Sequence, residues 1–169
     1  YEDAIMLVLP SDHLIKFTKM YQTTLRDACR VAEEGTNLVT IGIMPDYPET
    51  GYGYIKFDAK EPEGRAYRVD RFVEKPSLEA AKEYLAAEEY LWNSGQFIWK
   101  VSTILKNIKQ YMPDTYDRLM KIQEAIGTPE QEMVLDHGFH AMEAQSIDYG
   151  IMEKAKGIYI LPGTFGWDD

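Results

Sequence analysis

Two short, predominantly apolar runs, Ala4–Leu9 and Leu38–Ile43, flank one stretch of helical periodicity, and this arrangement restricts the chain more than any other feature. Each run has the length and composition of a strand buried on both faces, as in a parallel sheet. Between them, Phe17, Met20, Tyr21, Thr24, Leu25, Ala28, Val31 and Ala32 recur at the spacing of one helix face, and Gly35 stops that helix. Strand, helix, strand with short joints is a βαβ unit, for which a right-handed parallel crossover is expected. Pro10 and Ser11 end the first run, so Asp12 and His13 fall just past its C-terminal end, where open α/β sheets place their ligands.

The rest of the chain continues the alternation. Tyr52–Phe57 and Ala66–Glu74, separated by a polar segment with Pro62 and Gly64, predict a long hairpin-like excursion. Ser77 is placed to cap a helix running to about Glu88. Gln96–Lys100 reads as a strand, and Ser102–Tyr111 and Asp114–Ile126 as helices punctuated by Pro113 and Pro129. Ser146 is placed to cap a short helix through Lys154, and Gly157–Leu161 is a last strand leading into a loop that ends at Asp169. With 169 residues there is room for one domain with a real core and not for two comfortable ones. The expectation is one α/β domain.

Composition narrows the class. An apolar fraction of 45% and an aromatic fraction of 12% belong to a folded globular chain. A net charge of −10 argues against a nucleic-acid partner, because phosphate backbones demand clustered Lys and Arg. No apolar stretch approaches the length needed to cross a bilayer, so no membrane partner is expected. The single cysteine, Cys29, sits at helical spacing among Leu25, Ala28 and Ala32 and reads as a small core residue, consistent with a reducing cytoplasm. The three histidines do not read as a metal site: His137 and His140 lack a third ligand of recognisable spacing, and surface or helix-packing roles are expected instead.

Several residues remain as candidates for chemistry. Asp12 near one strand end and Asp169 after another are two carboxylates of the kind magnesium takes, with water and phosphate filling its other positions; read alone, Asp12 serves equally as a turn or cap and Asp168 and Asp169 as an acidic loop end. Lys75 precedes Pro76, which pushes it toward extended geometry and a defined direction, and its ammonium suits a phosphate. Glu74 beside it points to the opposite face if the strand stays regular, whereas a bend would bring both to one ligand; a surface Glu–Lys pair is the plain alternative. Gly51 and Gly53 flank Tyr52 in a β-forming run, which marks either a hairpin or close backbone approach to a ligand. Asn93, ahead of Gly95, offers donor and acceptor to a hydroxyl, or is a turn asparagine. There is no GxGxxG or GxxxxGK[ST] phosphate loop and no GxSxG elbow, so covalent catalysis is not expected. Such a site positions and neutralises.

In order, LPSDH (9–13), PETGYGYI (48–55), FVEKP (72–76), WNSGQF (92–97), SIDYGIMEK (146–154) and GWDD (166–169) resemble successive motifs of the mannose-1-phosphate guanylyltransferase (GDP-mannose pyrophosphorylase) family, almost end to end. The resemblance implies a Rossmann-like nucleotidyltransferase domain with a mixed, mainly parallel sheet, and transfer of GMP from GTP to mannose 1-phosphate with Mg2+. It implies that Asp12 and Asp169 bind the metal, that Lys75 holds the sugar phosphate, and that Gly53, Glu74 and Asn93 contact the sugar. Asp168 stands where related members often carry serine, and Asp148 and Glu153 receive no role. Members begin with a GxGxRxWPLS-type segment for the triphosphate that is missing here, so residues 1–169 are expected to be a partial domain, incomplete at the N-terminal side. By themselves they should be inactive and prone to associate into homo-oligomers through exposed apolar surface. The alternatives are transfer to another hexose 1-phosphate, or a non-catalytic sugar-phosphate-binding module.

Overall fold

The structure, a computed structural model, describes residues 3–169, with the backbone alone at Glu61. It divides into two compact units, one formed by Tyr1–Thr103 with Lys156–Asp169 and one by Ile104–Ala155.

The first unit is built on a six-stranded sheet of order β1-β6-β3-β7-β5-β4, in which β4 also pairs with β6. Its strands are β1 (Ile5–Val8), β3 (Leu38–Ile43), β4 (Tyr54–Glu63), β5 (Ala66–Val73), β6 (Tyr90–Lys100) and β7 (Ile158–Gly163). A two-stranded ladder, β2 (Leu14–Ile15) with β8 (Trp167–Asp168), stands apart from it. The sheet is mixed, as expected, but not mainly parallel. Among the described residues β3–β7 is the one parallel pair, while β1–β6, β3–β6, β4–β5, β4–β6 and β5–β7 are antiparallel. The reason is β6, which lies between β1 and β3 and runs against both, so the two halves of the βαβ unit are not neighbours.

The two expected strands differ in burial. All six residues of β3 are buried. Met6, Leu7, Val8 and Leu9 are 39–42% exposed, and β1 has one described neighbour, β6. Apolar composition marked a strand; its neighbours decided how far it is buried.

Helix α1 (Thr18–Glu33) buries Thr24, Ala28 and Ala32 and ends where Gly35 adopts φ +52. The predicted excursion is the β4–β5 hairpin. Helix α2 (Leu78–Ala87) starts at Ser77, whose hydroxyl accepts the Ala80 N–H at 3.3 Å, a side-chain cap of the expected kind. Strand β6 is longer than its sequence suggests. Its register against β3 shifts between Thr40 and Gly42, forming a bulge at Ser94–Gln96, and Gly95 takes φ +66 there. Side chains replace the lost ladder bonds: Ser94 Oγ donates to the Ile41 carbonyl at 2.6 Å and Thr40 Oγ1 to the Gln96 carbonyl at 3.0 Å.

The second unit contains most of α3 (Val101–Tyr111), then α4 (Pro113–Ala125) and α5 (Gln131–His140). Helix α5 is absent from the periodicity reading because its sequence has no apolar stripe and it buries no residue. His137 and His140 are exposed on it. The short helix expected after Ser146 is a single π turn, Asp148–Met152, in which the Glu153 N–H donates to the Asp148 carbonyl. The Ser146 hydroxyl does not cap it; the backbone carbonyl of Ser146 accepts the Gly150 N–H at 2.8 Å.

Candidate active site

All candidate residues lie in the first unit, in two groups. The first surrounds Gly53, just ahead of β4. Its carbonyl accepts the Asn93 N–H at 2.8 Å, which ties the PETGYGYI loop to β6. A Cβ at position 53 would fall on Glu74 Oε2 and within 3.2 Å of Asn93 Cβ, so a larger residue here would have to displace the Glu74 carboxylate. Glu74 Oε2 is shielded from solvent. The Asn93 side chain is oriented by the bulge, with Oδ1 accepting the Gly95 N–H at 3.0 Å. Gly53, Glu74 and Asn93, drawn from three separate motifs, therefore share one place. Asn93 is not a turn residue before a strand; it lies inside β6.

Lys75 follows Glu74, and its side chain is exposed. It does not take the extended geometry expected before Pro76 but the left-handed region, φ +46. The chain must turn there from β5 into the Ser77 cap of α2 while Glu74 points at Gly53, and these two anchors override the local preference. A non-glycine residue in this region stores about 1–2 kcal/mol of strain. The chain therefore bends at Lys75.

The second group gathers the two ends of the motif series. Antiparallel pairing of Leu14 with Asp168 and Ile15 with Trp167 brings His13 to Asp169, with Nε2 3.6 Å from Oδ1. The Lys16 N–H donates to the Gly166 carbonyl at 3.0 Å and the Phe17 N–H to that of Phe165 at 2.9 Å, continuing the strap. The Trp167 indole N–H donates to His13 Nδ1 at 3.0 Å, across 154 positions of chain. Asp12, next to His13, is exposed.

Tyr52 joins the groups. Its hydroxyl donates to the Asp169 carbonyl at 3.4 Å, its ring meets Trp167 and Trp92 edge-on at 5.5 and 5.4 Å, and its neighbour in the chain is Gly53. Burial first, and then the Asp169 carboxylate, push the Tyr52 phenol above its ordinary value. Sequence reasoning missed His13, Tyr52 and Trp167 as site residues, although all three sit inside the quoted motifs. The His13 ring is only 10% exposed and belongs neither to the surface nor to a helix.

A family model for nucleotidyl transferases matches residues 1–169. The chain belongs to the nucleotidyl transferase family. Within it, the chain is 40% identical over 171 residues to mannose-1-phosphate guanylyltransferase of Escherichia coli (strain K12), covering 99% of this chain and 36% of that protein. It is 42% identical over 168 residues to the xanthan biosynthesis protein XanB of Xanthomonas campestris pv. campestris (strain B100), covering 99% and 35%. The chain thus spans about a third of the length of the curated relatives it matches. Among solved structures, it resembles one from Thermus thermophilus described as a mannose-1-phosphate geranyltransferase, with TM-score 0.82, 35% identity and coverage of 97% and 46%. It also resembles a mannose-6-phosphate isomerase from Helicobacter pylori, with TM-score 0.84, 27% identity and coverage of 100% and 65%. The nucleotidyl transferase fold explains the mixed sheet, and nucleotidyl transferases of this kind generally need a divalent metal.

Proposed function

We propose that the protein containing this chain transfers GMP from GTP to mannose 1-phosphate, giving GDP-mannose and pyrophosphate, and that residues 1–169 are part of its one nucleotidyltransferase domain. The observation that carries this reading is the Glu74 carboxylate lying where a Cβ at position 53 would fall, beside Asn93 and one residue from a phosphate-compatible lysine. Identity of about 40% to a guanylyltransferase over nearly all of these residues supports the choice of substrates.

In this reading Gly53, Glu74 and Asn93 hold the sugar, with carboxylate and amide oxygens accepting from its hydroxyls. Lys75 binds the phosphate of mannose 1-phosphate and fixes the oxygen that attacks the α-phosphorus of GTP, from which pyrophosphate leaves in line. Alignment and charge neutralisation supply the catalysis, since no nucleophilic side chain is needed. Asp12 and Asp169 would hold Mg2+. Their chemistry fits: both are hard oxygen donors and both are exposed. When bound, the ion would neutralise phosphate oxygens.

The test is pyrophosphate release by the full-length protein with GTP and mannose 1-phosphate, against other nucleotide and hexose 1-phosphate pairs. The expected result is fastest turnover with mannose 1-phosphate and GTP. Faster turnover of glucose 1-phosphate would overturn the sugar assignment, and binding without turnover would leave a non-catalytic sugar-phosphate module. No helix among the described residues is long and apolar enough to cross a membrane.

A further inference from the structure

We infer that His13 is a positioning residue for the Asp169 carboxylate, delivering an Nε2–H to it in a tautomer imposed by Trp167. The inference rests on the proposed role of Asp169 in holding the divalent cation, and it assigns work to a side chain that this role leaves unexplained.

The tautomer follows from donor chemistry. An indole N–H can only donate, so the imidazole nitrogen that it approaches must offer a lone pair. Trp167 Nε1 lies 3.0 Å from His13 Nδ1. A proton on Nδ1 would face the indole proton, so the ring carries its hydrogen on Nε2. That nitrogen is the one turned toward Asp169 Oδ1, at 3.6 Å. The separation is longer than a formed hydrogen bond, as is common for active-site contacts before ligands arrive.

The ring has little freedom to do anything else. It is 10% exposed and stands edge-on to Trp167, with centroids 5.2 Å apart and planes at 86°. Trp167 is itself held by its pairing with Ile15 and by the edge of Tyr52. Asp169 directly follows Asp168, which pairs with Leu14 in the β2–β8 ladder. An imidazole N–H against one oxygen selects the rotamer and leaves the other oxygen for a cation. This is the arrangement by which outer partners usually aim metal-binding carboxylates. Were His13 only a strap closing the β2–β8 ladder, the indole contact would suffice, and nothing would require Nε2 to face Asp169.

Two substitutions separate the roles. Gln in place of His13 can put an amide N–H near the Nε2 position and loses the acceptor for Trp167. Asn puts an acceptor near the Nδ1 position and is too short to reach Asp169. Mn2+ binding to the full-length protein, followed by electron paramagnetic resonance with and without GDP-mannose, reads the consequence independently of turnover. His13→Asn is expected to weaken Mn2+ binding ~10–100-fold, the usual cost of losing an outer partner, whereas His13→Gln retains most of the affinity. In the unsubstituted protein labelled with 15N-histidine, His13 is expected to show the Nε2–H tautomer and to shift when a diamagnetic divalent cation is added.

Asp169→Asn separates this inference from the one beneath it. If that substitution abolishes Mn2+ binding while His13→Asn leaves it unchanged, the positioning role is overturned and the cation site stands. An Nδ1–H tautomer in the unsubstituted protein overturns it without any variant, which covers the case in which His13→Asn does not fold. If Mn2+ does not bind even to the unsubstituted protein, the cation site and the role of His13 fall together.

Discussion

The two groups of candidate residues are held by different means. Around Gly53 the grip is backbone: a main-chain hydrogen bond to β6, a bulge that aims Asn93, and a missing Cβ where Glu74 lies. Around Asp169 the grip is side chain: one imidazole, one indole and one phenol on a two-residue ladder. An atom added at Gly53 must displace the Glu74 carboxylate, while a side-chain site can lose one and keep its fold but mis-aim its carboxylate. Sharp steric failure should therefore belong to the first group and graded loss of ligand affinity to the second.

The most severe test is Gly53→Ala. Its methyl group displaces the Glu74 carboxylate, the flexible end of that side chain, and crowds Asn93 Cβ, so stability should fall by only about 1 kcal/mol, while mannose 1-phosphate binding by calorimetry should fall below detection. Normal binding would show that the close approach does not matter. Next is Lys75→Ala, which removes a charge-assisted phosphate contact worth about 1.5–3 kcal/mol and should raise KM for the sugar phosphate ~10–100-fold. Unchanged kinetics would remove Lys75 from the site. Lys75→Gly sharpens the point by splitting strain from charge. It should be more stable in denaturant than Lys75→Ala by about 1–2 kcal/mol, because φ +46 costs glycine nothing, yet bind sugar phosphate no better.

Tyr52→Phe removes a long hydrogen bond to the Asp169 carbonyl. It should cost about 0.5–1 kcal/mol, seen in cation affinity and not in stability of the sheet; a larger effect on sugar binding would mean that the two groups act as one. The smallest effect concerns alkali. Burial raises the phenols of Tyr52 and Tyr54 above their ordinary value, so the folded form holds these protons more tightly than the unfolded chain. The stability this contributes is complete below about pH 10 and is lost as pH rises through the folded values. Absorbance at 295 nm should show phenols that ionise late, and a single ordinary titration would contradict this.

Local features of the fold were legible. Helix α1, its glycine stop, the Ser77 cap and the β4–β5 hairpin follow from periodicity and turn chemistry, which act over a few residues. Features set by a distant partner were not. Apolar Ala4–Leu9 reads as a buried strand, whereas Met6 to Leu9 are half-exposed and the strand has one described neighbour, β6. Asn93 ahead of Gly95 reads as a hydroxyl contact or as a turn asparagine before a strand, and β3 and β4 hold that segment as a bulged strand. Lys75 reads as extended, and two anchors bend it. The β2–β8 ladder is too short to leave a pattern, and α5 has no stripe to detect. The candidate residues could be named because glycine, amide, lysine and carboxylate keep their chemistry in any fold; His13 was passed over because one histidine has no spacing to read.

By itself, the order of residues determined the alternation of strands and helices, the family motifs and the inventory of groups available for a sugar, a phosphate and a cation. Only tertiary structure decided that Glu74 fills the space beside Gly53, that Lys75 turns left-handed, and that an imidazole stands between Trp167 and Asp169. The physical reason is range. Backbone preferences and side-chain periodicity are written within one or two turns of chain, whereas contacts across 154 positions depend on which strand comes to lie beside which.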